Sequence, residues 1–263
     1  MSAPAPTQAL VRVEEVKDGI VLLRMQGPPV NSWTNEFTDA FVTAVEGLVT
    51  TTARVVVITG SGAHFSAGGD FHLFQTITDE SRARAFVERV QGAMDSVAAI
   101  PVPVIAAING TALGGGLELA LACDIRIALP TARLGLPETR WGILAGAGGT
   151  QRLARLVGPG AAKLMMYTAS PVDGHQALSM GLVDQVSDSP LDDALDVATR
   201  IAQNSPRAVR SVKRCVDEGL DLPLREGLRL ERELWIDLIP DGDLNEGARS
   251  FLERRPPAYS DWH

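Results

Sequence analysis

Hydrophobic positions along this chain change period several times, and each change predicts an element. "GIVLLRM" (Gly19 to Met25), "ARVVVITG" (Ala53 to Gly60), "VPVIAAI" (Val102 to Ile108) and "CDIRIAL" (Cys123 to Leu129) are short apolar runs, which predicts buried strands. Between them the spacing turns helical: Trp33, Phe37, Phe41, Ala44 and Leu48 fall on one face, as do Phe86, Val90, Met94 and Val97. "GAGGTQRLARLVG" predicts a helix that starts after glycines, and "HQALSMGLVDQV" a helix, a glycine stop and a strand. From Pro190 onward the pattern is helical, with Asp192, Ser205 and Asp221 near the predicted starts. Strands and helices thus alternate over residues 1–189, and residues 190–263 form a helical region. On periodicity alone this is an α/β core of the doubly wound kind.

Ser96 to Leu117 carries no charge over 22 residues, a length that suffices to span a bilayer. It also holds Pro101, Pro103, Asn109 and several glycines, so it predicts a buried strand, a turn and a helix start instead. The formal net charge of −8 argues against nucleic acid or an anionic membrane as the main partner. Cys123 lies in an apolar run and reads as a core residue, and two cysteines make neither a disulfide framework nor a metal site. The opening "MSAPAPTQALVRVEEV" lacks the basic start and apolar stretch of a secretory signal, and "DWH" is no peroxisomal address, so the expected location is cytoplasmic.

Two loops carry the candidate chemistry. "FSAGGD" follows one predicted strand and "NGTALGGGLE" another, and both run toward helix starts. Glycines leave peptide N–H groups uncovered, and a helix N-terminus adds partial positive charge. Two such groups converging would make a site for negative charge on a carbonyl oxygen; each loop taken alone is better explained as a tight turn with close packing. Neither matches a phosphate-binding fingerprint. Glu118 follows the glycine triplet, and Glu138 lies in an apolar, glycine-rich stretch, where burial raises a carboxyl pKa toward the range of a general acid or base. An ion pair or a solvated edge explains either glutamate taken singly. His64, His72, His175 and His263 show no metal-ligand spacing, with His72 a minor candidate base.

"HFSAGGDFHLF", "PVPVIAAINGTALGGGLELALACDIRIA", "LGLPETRWGILAGAGGTQRLARLVG", "ALSMGLVDQV" and "EGARSFLERRPP" together resemble the enoyl-CoA hydratase/isomerase, or crotonase, family over nearly the whole chain. The resemblance implies a spiral of ββα units with C-terminal helices that build homotrimers, often paired into homohexamers. It implies acyl-CoA thioester substrates and no cofactor, metal or redox group, coenzyme A being part of the substrate. By position it assigns the oxyanion N–H groups to Gly69 and Gly115 and the two acids to Glu118 and Glu138. Ala67 and Asp70 fall where the family lines the coenzyme A site, and Gly146 where a glycine faces the catalytic water. Three positions depart from the family pattern: Gly69 stands where alanine is common, Ala145 replaces a proline, and "TRW" after Glu138 puts Arg140 and Trp141 near the pocket. Two acids favour hydration of a trans-2-enoyl-CoA over double-bond isomerisation or another lyase or hydrolase step. A non-catalytic binding protein on this fold is the remaining alternative.

Overall fold

The computed structural model describes residues 9–49, 52–240 and 242–259; residues 1–8 and the ending with His263 lie outside the described residues. Strands β1 (Val11–Lys17) and β2 (Ile20–Met25) form an antiparallel pair, and helix α1 (Asn35–Val49) leads to β3 (Val55–Gly60), which runs parallel to β2. Strand β4 (His64–Ser66), the short helix α2 (Phe71–Gln75) and the long helix α3 (Glu80–Ala98) follow. The same order recurs as β5 (Val104–Ile108), β6 (Thr111–Leu113) and α4 (Gly115–Ala122). It recurs again as β7 (Ile125–Ala128), β8 (Leu134–Gly135), a 3-10 turn over Glu138–Trp141, α5 (Gly149–Val157) and α6 (Pro159–Thr168). Helix α7 (Gly174–Ser179) and β9 (Gln185–Val186) precede α8 (Pro190–Ala202), α9 (Pro206–Gly219), α10 (Leu224–Asp237) and α11 (Asp243–Glu253).

The strands form two sheets, ordered β1-β2-β3-β5-β7-β9 and β4-β6-β8. The first strand of each repeat joins the large sheet and the second joins the small one, so the chain advances as a spiral of ββα units. Periodicity alone pointed to a doubly wound sheet because β4, β6 and β8 span only two or three residues each, too few to show a period of their own.

The centre of the large sheet, β2, β3 and β5, is buried on both faces, which is why these strands read as continuous apolar runs. Leu23, Val56, Ile58 and Ala106 pack with Phe37, Phe41, Met94 and Val97 from α1 and α3. Leu22, Val55, Val57 and Ile105 pack on the other side against Ala194, Ala198 and Ala202 of α8. The helical stretch from Pro190 therefore begins with a helix that completes the sheet's own core. Ser205 caps α9 by accepting from the Ala208 N–H, whereas Asp192 lies inside the first turn of α8 and Asp221 precedes the Pro223 start of α10. Cys123 is buried as expected, and its environment pushes the thiol up to about 12. Among the described residues no helix is long and apolar enough to cross a membrane.

Candidate active site

Strands β4 and β6 pair in parallel, with His64 opposite Thr111 and Ser66 opposite Ala112. The loops leaving their ends therefore emerge side by side, one carrying Gly69 and the other Gly115. The approach is close: a Cβ built on Gly68 would lie 3.5 Å from the Gly115 nitrogen. Among the described residues neither the Gly69 nor the Gly115 N–H has an acceptor. Two uncovered N–H groups at adjacent loop ends are the pattern of a site for developing negative charge on oxygen.

Each glycine of the "GGG" triplet has its own physical reason. Gly114 sits at φ 52°, a conformation that side chains disfavour. Gly115 opens α4 against the indole of Trp33, which a Cβ would approach to 2.9 Å. At Gly116 a Cβ would collide with the Ser66 carbonyl, so α4 packs directly on β4 only without a side chain there.

This packing buries Glu118 to 3% exposure near the start of α4. Its Oε1 accepts from the Ala147 N–H at 2.7 Å and from the Gly149 N–H at 2.8 Å. Burial raises the Glu118 pKa, while the two amides and the Arg152 guanidinium pull against that rise. Arg152 is itself placed by the Ala147 carbonyl and by Asp95 at 2.6 Å. Glu138 opens the 3-10 turn, and its buried Oε2 has no hydrogen-bond partner. Burial first, and then the neighbouring Glu118 charge, push Glu138 up to about 7.

Both carboxylates line one cavity of about 920 Å³, together with Ala67, Gly69, Gly115 and Gly146. Six of the seven expected site residues meet there. Asp70 does not line it; its carboxylate caps α2 by accepting from the His72 and Leu73 N–H groups at 2.6 and 3.4 Å. His72 is also absent from the lining, and of the "TRW" residues Trp141 lines the cavity whereas Arg140 does not. The residues missed from sequence are Ala147 and Gly149, whose N–H groups grip Glu118, and Trp33. The glycines before α5 were the available signal for the first two; nothing in the sequence aims Trp33, whose backbone N–H donates to the Gly68 carbonyl at 3.0 Å.

A family model described as enoyl-CoA hydratase/isomerase matches residues 15–262. The chain is 44% identical over 212 residues to YngF of Bacillus subtilis, whose name assigns it provisionally to the enoyl-CoA hydratase/isomerases; the match covers 78% of this chain and 80% of that one. It is 40% identical over 201 residues to human mitochondrial methylglutaconyl-CoA hydratase, covering 74% of this chain and 59% of the relative. Among solved structures, enoyl-CoA hydratase from Bacillus anthracis superposes with a TM-score of 0.92 at 36% identity, over 96% of this chain and 100% of that one. DspI of Pseudomonas aeruginosa superposes with a TM-score of 0.91 at 38% identity, over 99% and 100%.

Proposed function

The chain belongs to the enoyl-CoA hydratase/isomerase family of enzymes, which act on acyl-CoA thioesters, and from that premise we propose that it adds water to a trans-2-enoyl-CoA to give the 3-hydroxyacyl-CoA. The observation that carries this reading is the pairing of two carboxylates of different character on one cavity beside two uncovered N–H groups. Water addition needs one group to take a proton from water and one to deliver a proton to carbon. Glu118, fixed by two amides, is the base that orients water toward the β-carbon. Glu138, near half protonation at neutral pH, is the acid that protonates the α-carbon on the same face.

The Gly69 and Gly115 N–H groups hold the thioester oxygen as the enolate forms; one such donor is worth about 3–4 kcal/mol of barrier. After turnover Glu118 carries the water proton and Glu138 has lost its own, and exchange with solvent resets the pair. Coenzyme A arrives on the substrate, and the scheme calls on no further cofactor. The human relative's name specifies a methylglutaconyl thioester; for this chain the reading is the 2-enoyl class. Incubating the protein with trans-2-butenoyl-CoA and following loss of the conjugated-thioester absorbance tests it. Hydration at enzymatic rates is the expected result. A wild type that moves the double bond of a 3-enoyl-CoA far faster than it hydrates the 2-enoyl isomer would replace hydration with isomerisation.

A further inference from the structure

Apart from Glu118 and Glu138, no charged side chain lines the cavity among the described residues; the other polar side chains there are mostly neutral amides and hydroxyls. Wherever an acyl tail lies within these walls, it meets no cation. The two carboxylates already present repel a third, and an unpaired carboxylate in apolar surroundings loses its hydration without compensation.

The apolar wall is extended and aromatic. Trp141, Phe71, Phe74 and Phe86 all line the cavity and touch edge to face in series, with centroid steps of 5.0, 5.6 and 5.5 Å. A four-carbon acyl group is no longer than one of these steps. Trp141 also lies three residues beyond Glu138 on a 3-10 turn, whose three-residue period places both on the same side. Trp141 and Phe71 remain 56% and 52% exposed, large apolar surface left to water at the cavity's edge.

Resting on the hydration reading, we infer that the preferred thioesters carry a neutral alkyl group longer than four carbons, seated along this row of rings. Phe71 and Trp141 select for it, and acyl groups ending in a carboxylate are rejected. The 920 Å³ volume, near the top of the roughly 300–1,000 Å³ span of small-molecule sites, has room for such a tail.

The test compares kcat/KM for trans-2-butenoyl-, trans-2-decenoyl- and trans-glutaconyl-CoA. Decenoyl-CoA is expected to exceed butenoyl-CoA at least about tenfold, well below what roughly fourfold per methylene compounds to when the extra methylenes are fully buried. Glutaconyl-CoA is expected about a hundredfold or more below butenoyl-CoA. Glutaconyl-CoA at or above butenoyl-CoA, or butenoyl-CoA above decenoyl-CoA, overturns the inference and leaves hydration standing. In Trp141→Ala and Phe71→Ala, with thermal melting confirming the fold, the decenoyl-to-butenoyl ratio should fall at least about fivefold; an unchanged ratio overturns the selection role. If no enoyl thioester is hydrated, calorimetric titration with the saturated esters decides independently. Decanoyl-CoA binding at least about tenfold tighter than glutaryl-CoA supports the inference, and equal or reversed affinity overturns it.

Discussion

Glu138 makes the charge of the cavity depend on pH in the range where enzymes work. With its carboxyl near 7 and Glu118 also raised, hydration should follow a bell-shaped profile in kcat/KM. The alkaline limb, beginning near pH 7, reports loss of the acid's proton; the acid limb reports protonation of the base. Glu118→Gln and Glu138→Gln should each lower turnover at least about a hundredfold, with the double variant losing less than the product because both groups serve one transition state. The same shift predicts a stability effect of defined sign. The folded Glu138 binds its proton more tightly than the unfolded chain does, so its contribution is fully present below pH 4.5 and is lost as pH rises toward about 7. Above about pH 7 the folded protein instead bears the cost of a buried charge at this position, and Glu138→Gln, neutral at every pH, should stabilise the fold at pH 8 by an amount of order 2 kcal/mol. Urea unfolding at pH 8 and at pH 4 checks this: the gain should vanish at the lower pH. Both glutamates were legible in sequence, since each stood in an apolar, glycine-rich stretch. The amides that grip Glu118 were not, because contact between residues about thirty positions apart depends on how α4 and α5 pack.

At the scale of elements, the long apolar strands and α1 and α3 were legible because burial on both faces, or one helical stripe, repeats over enough residues to leave a period. Strand β1 was missed because its residues are mostly exposed and its sequence, VRVEEVK, is polar. The spiral itself came from the family resemblance, since the small sheet's strands are too short to announce themselves. Asp70 shows what position alone leaves out: the resemblance puts it at the coenzyme A site, and the structure adds that its carboxylate caps α2. If capping is its contribution, Asp70→Asn, which still caps, should retain most of the activity. Asp70→Ala should cost about 1 kcal/mol and raise KM through the displaced Phe71 and Phe74 more than it lowers kcat. Steady-state kinetics on the pair separates cap from charge. Asn31 ties loops to strands more tightly. It is buried, accepts from the Gly27 N–H at 2.9 Å, and donates to the His64 and Phe65 carbonyls at 3.0 Å each. Asn31→Ala leaves those groups unpaired and should cost about 2–4 kcal/mol, read from the urea midpoint.

Across the whole molecule, the exposed large apolar side chains gather on the last helices. Val212, Leu220, Leu224, Trp235, Phe251 and Leu252 are all more than half exposed. A monomer rarely leaves so much apolar surface wet, so we predict that copies associate through these helices, as a trimer or a pair of trimers. Light scattering at micromolar concentration should give a multiple of three chain masses. Leu220→Glu with Leu224→Glu should lower that mass, and a monomeric wild type would refute the prediction. The frame on which the site is built has a longer-range meaning. The two N–H groups follow neighbouring strands, so the pairing of β4 with β6, at the roughly 4.8 Å strand spacing, brings them side by side through the backbone. A lineage that inherits this frame, with the glycines that let α4 pack on β4 and Trp33, keeps its pair of uncovered N–H groups while the more distant cavity walls change. New substrates are then reached by redecorating the walls, and the reactive centre never has to be reinvented.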